Sequence, residues 1–312
     1  MFRLGGPRLG ATMSQLNIVV SLITTDNDYQ REQAAAAEEA ARRLGVHVEI
    51  IFAENDPINQ SQQLLKEIQS SGKKPDGIAF EPVSGTGLPQ VAKAAIAAKV
   101  GWAVVNRHVD YLPGLRTTPV PAFEVSCDHV EVGRIQGRQL KALLPNGGLV
   151  LYIEGPTTAS AAQDRTIGMA ETKPANIQLR TMKGNWTQES AYAAISSWLR
   201  LSTSHSLPVA AVCAQNDSMA LGARHAFERE TNGMEREKWT RLPFLGCDGL
   251  SQTGQAWVRN QLLAATVILP PTAGLAVEML ANALLTGKVP PVTTLATPSS
   301  YPPVESLGTK LR

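Results

Sequence analysis

The sequence has little of what usually betrays a single-motif chemistry. Only three cysteines, Cys127, Cys213 and Cys247, occur in 312 residues, an odd number with no CxxC spacing. That argues against a disulfide framework and against a cysteine-held structural zinc. Cys213 lies inside an apolar run and reads as a small buried hydrophobe. Charge of one sign is also scarce. The formal net charge is +2 and no Lys/Arg run exists, so nothing marks a nucleic-acid partner. Long hydrophobic runs are missing too. The chain is uncharged from Leu9 to Thr25, but Ser14, Gln15 and Asn17 interrupt it, which is too polar for a membrane span. Arg3 and Arg8 flank Gly5-Gly6-Pro7 instead of preceding an apolar stretch, a poor fit to a signal peptide. Met13 is a second candidate start. Residues 1–13 are expected to be an unstructured extension, and the chain as written is expected to stay in the cytoplasm. There is no P-loop, no GxGxxG after the first strand, no HExxH and no nucleophile elbow. The histidines at 47, 108, 129, 205 and 225 are scattered. His108 and His129 alone fall near a strand exit or crossover, and both read as structural. No metal and no cofactor is expected.

What is present is a rhythm. Hydrophobic residues make up 43% and charged residues 18% of a length that suits two domains. Apolar strand-like runs occur at 16–23, 46–53, 77–81, 102–106, 120–126, 148–153, 177–182, 208–213, 242–246 and 263–268. Helical patterns separate most of them. The clearest is 31–45, where Ala37, Ala40, Ala41 and Leu44 share a face and Glu38 and Glu39 precede Arg42 and Arg43 by four residues. Strands alternating with helices imply βαβ units and a parallel sheet, and the lack of polar alternation implies strands covered on both faces. The pattern runs twice, from about 16 to 106 and from about 149 to 248. The expected fold class is therefore α/β, with two similar doubly wound parallel-sheet lobes. Residues 14–126 with 269–298 are expected to form one lobe and 127–268 with 299–312 the other. The end of the chain, rich in proline and serine, is expected to lie along the surface.

Ligands on open parallel sheets bind beyond the carboxyl ends of the strands. Here those exits are "TTDNDYQ" (24–30), "EPVSGTG" (81–87), "NRHVD" (106–110), "EGPTTASAAQDR" (154–165), "AQNDSM" (214–219) and "CDGLSQ" (247–252). They carry Asn27, Tyr29, Glu81, Asn106, Arg107, Arg165, Asn216 and Asp248, and Trp186 follows another strand in "KGNWTQES". Amides, carboxylates and guanidinium groups grip adjacent hydroxyls, and aromatic rings stack on the apolar face of a sugar ring. Each residue also has a plain structural reading. Asn27 or Asp28 suits a helix N-cap, Glu81 before Pro82 a solvated loop, and Arg107 the surface. Arg165 suits a helix face, Trp186 the packing, and Asp248 a turn beside Gly249. Asp217 is read as the N-cap of the helix after 213, with Asn216 pointing into the cleft. The placement of these groups at equivalent strand ends in both repeats favours a shared binding cleft.

With those residues in view the chain resembles the type I periplasmic sugar-binding proteins, in particular the ribose-binding branch related to LacI-type effector domains. The resemblance runs from about Leu16 to Val289. It rests on "CAQNDSMALGA" (213–223), "LGCDG" (245–249), "LAATV" (263–267), "TASAAQDRTIGM" (158–169) and "DGIAFEPVSG" (76–85). It implies two lobes joined by three crossovers and ligand enclosed by hinge closure. By position it implies ligand contacts from Asn27, Tyr29 (stacking), Glu81, Asn106, Arg107, Arg165, Trp186, Asn216 and Asp248. The chain departs from that family where Asn106 stands for an aspartate and Gln30 for a second aromatic ring. It departs again at Cys247, in place of a bulky aromatic, and at Ile268-Leu269, where ribose binders offer glutamine. These departures argue against simple ribose specificity and leave a sugar, a polyol or a related small polar ligand.

The expected function is non-catalytic ligand binding by a monomer, read by an ABC permease or a sensor protein, with no nucleic acid and no direct membrane insertion. The resemblance implies the periplasm. Two other readings stand beside it. An effector domain of a repressor would need a helix-turn-helix, for which residues 1–15 are too short. An α/β enzyme acting on a small sugar would need a nucleophile–base pair or a metal site.

Overall fold

The computed structural model describes residues 15–84 and 87–308; the expected extension at 1–13 lies outside them. The chain opens with β1 (Asn17–Leu22), α1 (Asp28–Leu44), β2 (His47–Phe52), α2 (Pro57–Ile68), β3 (Gly77–Phe80), α3 (Pro89–Ala97), β4 (Gly101–Val105), α4 (Leu112–Leu115) and β5 (Ala122–Cys127). It continues through α5 (His129–Leu143), β6 (Gly148–Glu154), α6 (Ser160–Thr172), β7 (Ile177–Lys183), α7 (Gln188–Leu199), β8 (Val209–Ala214), α8 (Asp217–Glu230), α9 (Gly233–Thr240) and β9 (Phe244–Leu245). It closes with α10 (Gly254–Arg259), β10 (Thr266–Ile268), α11 (Ala273–Thr286), β11 (Thr293–Ala296), β12 (Ser299–Tyr301) and α12 (Val304–Leu307).

The first sheet has the order β11-β5-β4-β3-β1-β2 and the second β7-β6-β8-β9, with every pairing parallel. Single bridges from Leu245 to Ala265 and from Asp248 to Ile268 carry the second sheet on toward β10. Read from the second strand, both lobes follow the doubly wound order 2-1-3-4, so the repeat seen in the sequence is a repeat of topology. In each, the order reverses at the first strand, and helices leave the carboxyl ends around that point.

The strands are apolar on both faces because both faces are covered. Ile18, Val20 and Leu22 pack under α1 and α11 with Ala79, Val105 and Val125. Their alternate, Val19, joins Ile78, Phe80, Trp102 and Val104 against α2 and α3. In the second lobe Leu151, Ile153 and Val212 face α7 and α8, while Val150, Tyr152 and Cys213 face α5 and α6. The last two helices meet almost backbone to backbone: a Cβ added to Gly168 would lie 1.8 Å from the Val130 carbonyl oxygen.

The chain passes between the sheets at three places. β5 of the first sheet leads into α5 of the second lobe, β10 leads back to α11 against α1, and β11 beside β5 leads to β12, which pairs antiparallel with β10. The terminal segment therefore supplies two paired strands rather than only lying along the surface. The run at 242–246 shortens to Phe244–Leu245. Pro243 has no N–H to give to a ladder, although its carbonyl accepts from Val212. The helix expected from residue 31 begins three residues earlier, at Asp28. No helix among the described residues is long and apolar enough to cross a membrane.

Candidate ligand-binding cleft

The carboxyl ends of both sheets face one cavity. All nine residues singled out from the sequence line it: Asn27, Tyr29, Glu81, Asn106, Arg107, Arg165, Trp186, Asn216 and Asp248. Gln30, Thr24, Asn55, Asn185 and Thr187 also line it, and the strand-exit pattern did not single them out as contacts.

On the first lobe the centre is Glu81, just past β3 and 1% exposed, so it is no solvated loop carboxylate. Its Oε2 accepts from Gln30 Nε2 at 2.8 Å and its Oε1 from Asn106 Nδ2 at 3.0 Å. Arg107 Nε stands 3.5 Å from the same Oε1. Gln30 is itself fixed, because its Oε1 accepts from the Ile23 amide at 2.9 Å. A carboxylate can only accept, so it fixes the Asn106 amide with its NH₂ toward Glu81. Asn106 Oδ1 is left buried with no hydrogen-bond partner among the described residues. Arg107 is buried as well, donating from Nη1 to the Pro82 and Val83 carbonyls at 2.6 and 3.0 Å. Burial lowers its pKa, which Glu81 opposes and Arg165 reinforces.

On the second lobe the corresponding cation is Arg165 on α6, 3% exposed and not the solvated face residue that helical spacing also allowed. It donates from Nη1 to the Gln215 carbonyl and lies over the Trp186 ring with 5.4 Å to the centroid. Its Nη2 stands 3.4 Å from His129 Nδ1, and His129 Nε2 stands 2.8 Å from the Asn106 carbonyl. Burial, with Arg165 next, drives the His129 pKa down to about 3. The ring is thus neutral, protonated at Nε2 to meet the carbonyl and accepting at Nδ1. His129 is structural, as its sequence context suggested, and it ties an exit of one lobe to the arginine of the other. Trp186 sits so close to Gly155 that a Cβ there would lie 2.2 Å from the indole ring.

The two asparagines make matching contacts. Asn27 Oδ1 caps α1 by accepting from the Tyr29 and Gln30 amides at 2.8 and 3.4 Å; Asn216 Oδ1 caps α8 by accepting from Met219 N at 2.9 Å. Each then turns its Nδ2 to the Trp186 carbonyl, at 3.4 and 2.9 Å. The expected division between Asn216 and Asp217 is corrected here. Asn216 is both the cap and the cavity residue, whereas Asp217 turns its carboxylate away to Gly249 N and the Thr266 hydroxyl. The bond from Asn27 to Trp186, with that from His108 N to Ser160 Oγ at 3.1 Å, joins the lobes directly across the cleft.

Tyr29 lines the cavity but packs its ring among Cys127, Val132, Ile135, Cys247, Val267 and Leu269, where the chain crosses between sheets. Its hydroxyl donates to the Pro270 carbonyl at 3.4 Å, and burial raises its pKa well above the usual range. Asp248 is 9% exposed and has a φ of 110°, and its carboxylate makes no hydrogen bond among the described residues. Burial raises its pKa strongly; Arg165 opposes this, and Asp217 and Glu81 add to it. Among the described residues no group of three or more His, Cys, Asp or Glu side chains could hold a metal ion.

Comparison with known proteins gives a consistent picture. The family model described as "Periplasmic binding protein domain" matches residues 18–289. The chain is 28% identical over 284 residues to the D-allose-binding periplasmic protein of Escherichia coli, covering 88% of this chain and 86% of that one. It is 24% identical over 277 residues to the ribose import binding protein of Salmonella typhimurium, covering 88% and 87%. A solved periplasmic solute-binding protein from Actinobacillus succinogenes with bound D-allose shares the fold, with a TM-score of 0.79, 19% identity, and 95% and 100% of the two chains covered.

Proposed function

This chain belongs to the periplasmic binding protein domain family, and from that premise we propose that it binds a neutral polyhydroxyl compound, a monosaccharide or a polyol, between its lobes without transforming it. The observation that carries this reading is the set of unsatisfied polar groups around the cavity. Among the described residues Asn106 Oδ1 is a buried acceptor and Arg165 Nε a buried donor with no hydrogen bond, and Arg107 Nε makes none beyond its 3.5 Å approach to Glu81 Oε1. The Asp248 carboxylate is a fourth group with no hydrogen bond among the described residues. Buried polar atoms are normally paired, so these mark where a ligand supplies the missing bonds. An anion would satisfy the arginines but not the two acceptors, and a cation the reverse. Hydroxyl groups both donate and accept, and so serve all four.

Asn27, Tyr29, Glu81, Asn106, Arg107, Arg165, Trp186, Asn216 and Asp248 form the site in this reading. Residues 14–126 with 269–298 make one lobe, and 127–268 with 299–312 the other. The contacts from Asn27 to Trp186 and from His108 to Ser160 belong to the closed state. A membrane permease of the ABC type would receive that closed, monomeric form, a partner consistent with a relative named for ribose import. A thermal-shift screen of D-allose, D-ribose, myo-inositol and further sugars and polyols tests the reading, because a ligand that binds only the folded state raises the melting temperature. A response to none of them, with a response to an amino acid, would overturn it.

A further inference from the structure

Asp217 lies outside the cavity, yet it holds the backbone that aims Asp248 into it. Asp248 has a φ of 110°, a conformation that costs an L-residue energy and persists only when its surroundings fix it. All four backbone groups of the two peptides flanking Asp248 are bonded. Asp248 N donates to the Val267 carbonyl and Leu269 N donates to the Asp248 carbonyl, both at 3.0 Å, which ties one side to β10. The other two bonds go to Asp217. Its amide donates to the Cys247 carbonyl at 2.6 Å, and its Oδ2 accepts from Gly249 N at 2.8 Å. Its Oδ1 accepts from the buried Thr266 hydroxyl at 2.6 Å, which anchors the carboxylate to the same β10.

The surrounding sequence is shaped to this carboxylate. A Cβ on Gly246 would lie 2.1 Å from Asp217 Oδ1, and one on Gly254 would lie 2.0 Å from Oδ2. Gly249 has a φ of 60° and runs against Ile268, where a Cβ would come within 2.5 Å of the backbone. Two of the three glycines in "GCDGLSQTG", Gly246 and Gly254, thus close around a side chain borne by a different segment, while Gly249 lets its backbone run against Ile268. We propose that Asp217 is a positioning residue for ligand binding, clamping the Cys247–Gly249 backbone so that the Asp248 carboxylate faces the cleft beside Arg165. This rests on the cleft being the sugar or polyol site.

The geometry distinguishes two substitutions. Asp217→Asn keeps an oxygen for Gly249 N and turns its NH₂ toward Thr266, whose hydroxyl can accept instead. Asp217→Ala removes both side-chain bonds. Affinities for D-allose, D-ribose and myo-inositol are measured by titration calorimetry on the full chain, with far-UV circular dichroism as the check on folding. Asp217→Ala is expected to weaken binding of whichever compounds the wild type binds by about 30-fold, and Asp217→Asn by no more than about 3-fold. Wild-type affinity in Asp217→Ala, or equal losses in both variants, would overturn the proposal. If Asp217→Ala does not fold, Thr266→Val carries the test. It cuts the anchor alone, and a loss of about 5-fold is expected where no loss would overturn the proposal. If the wild type binds none of the three compounds, the clamp is tested by amide hydrogen exchange at Gly249, independently of the sugar reading. Exchange at least about 10-fold faster in Asp217→Ala, or in Thr266→Val if Asp217→Ala does not fold, than in wild type supports the clamp, and equal exchange refutes it.

Discussion

Glu81 and Asp248 are the two acids of the cleft, one from each lobe, and they stand in opposite conditions. Glu81 has Gln30 on one oxygen, Asn106 on the other and Arg107 beside it. Asp248 is held through its backbone while its carboxylate bonds nothing among the described residues. Both belong to a doubly wound sheet of the same strand order, both sit past a strand end, and both have a buried arginine nearby. The difference is that the first lobe spends its acid internally, to orient an amide and steady a cation. The second keeps its acid for whatever enters. Acids past the third strand of one lobe and the fourth strand of the other thus divide between holding the fold and, in the proposed reading, recognising the ligand.

The sharpest way to break that comparison is to delete each acid. Glu81→Ala strands a buried guanidinium and frees Gln30 and Asn106, so chemical denaturation should show a stability loss of about 3 kcal/mol. Asp248→Ala removes an unsatisfied buried carboxyl and should leave stability unchanged or raised, while weakening sugar binding by about 10- to 30-fold in calorimetry. Matching stability losses in the two variants would erase the distinction. Arg165→Ala removes the cation that faces Asp248 and Trp186 and should cost about 100-fold in affinity, measured the same way.

Much of this was legible in the sequence for one physical reason. A parallel sheet covered on both faces leaves its polar groups only at strand ends, so the polar exits of two apolar repeats had to converge. All nine candidates do line one cavity. What escaped was hydrogen-bond direction. Asn and Asp are nearly equal as N-caps, so "ND" at 216–217 could not say which one caps. Gln30, at the end of the first strand exit, looked like a lost aromatic ring until its bonds to Ile23 and Glu81 were visible. The strands at 293–296 and 299–301 were hidden because their partners lie far away in sequence, at β5 and β10.

Smaller effects refine the comparison. Asn27→Ala and Asn216→Ala each remove a cap, at about 1 kcal/mol in thermal or chemical unfolding. Only Asn27→Ala also removes a bond between the lobes. Small-angle scattering should therefore show the ligand-free protein more open in Asn27→Ala than in Asn216→Ala. A separate effect lies in the pH profile of stability. Burial raises the Asp217 pKa to about 7, whereas an unfolded aspartate titrates near 3.9. Between those values the folded state binds the extra proton, so this group's contribution falls as pH rises through that window and is level above it. Asp248 adds in the same sense and His129, held neutral, acts in the opposite sense at low pH. The difference between wild type and Asp217→Asn isolates Asp217, and parallel profiles would contradict its raised pKa.

Titration calorimetry of the full chain against neutral and charged compounds of similar size bears most directly on the cleft: D-allose, D-ribose and myo-inositol beside a sugar acid and an amino sugar. A neutral compound should bind with micromolar or tighter affinity and lose about 100-fold in Arg165→Ala, since its hydroxyls serve both the unpaired donors and the unpaired acceptors. Binding of the acid or the amine, with none of the neutral compounds bound, would contradict that assignment.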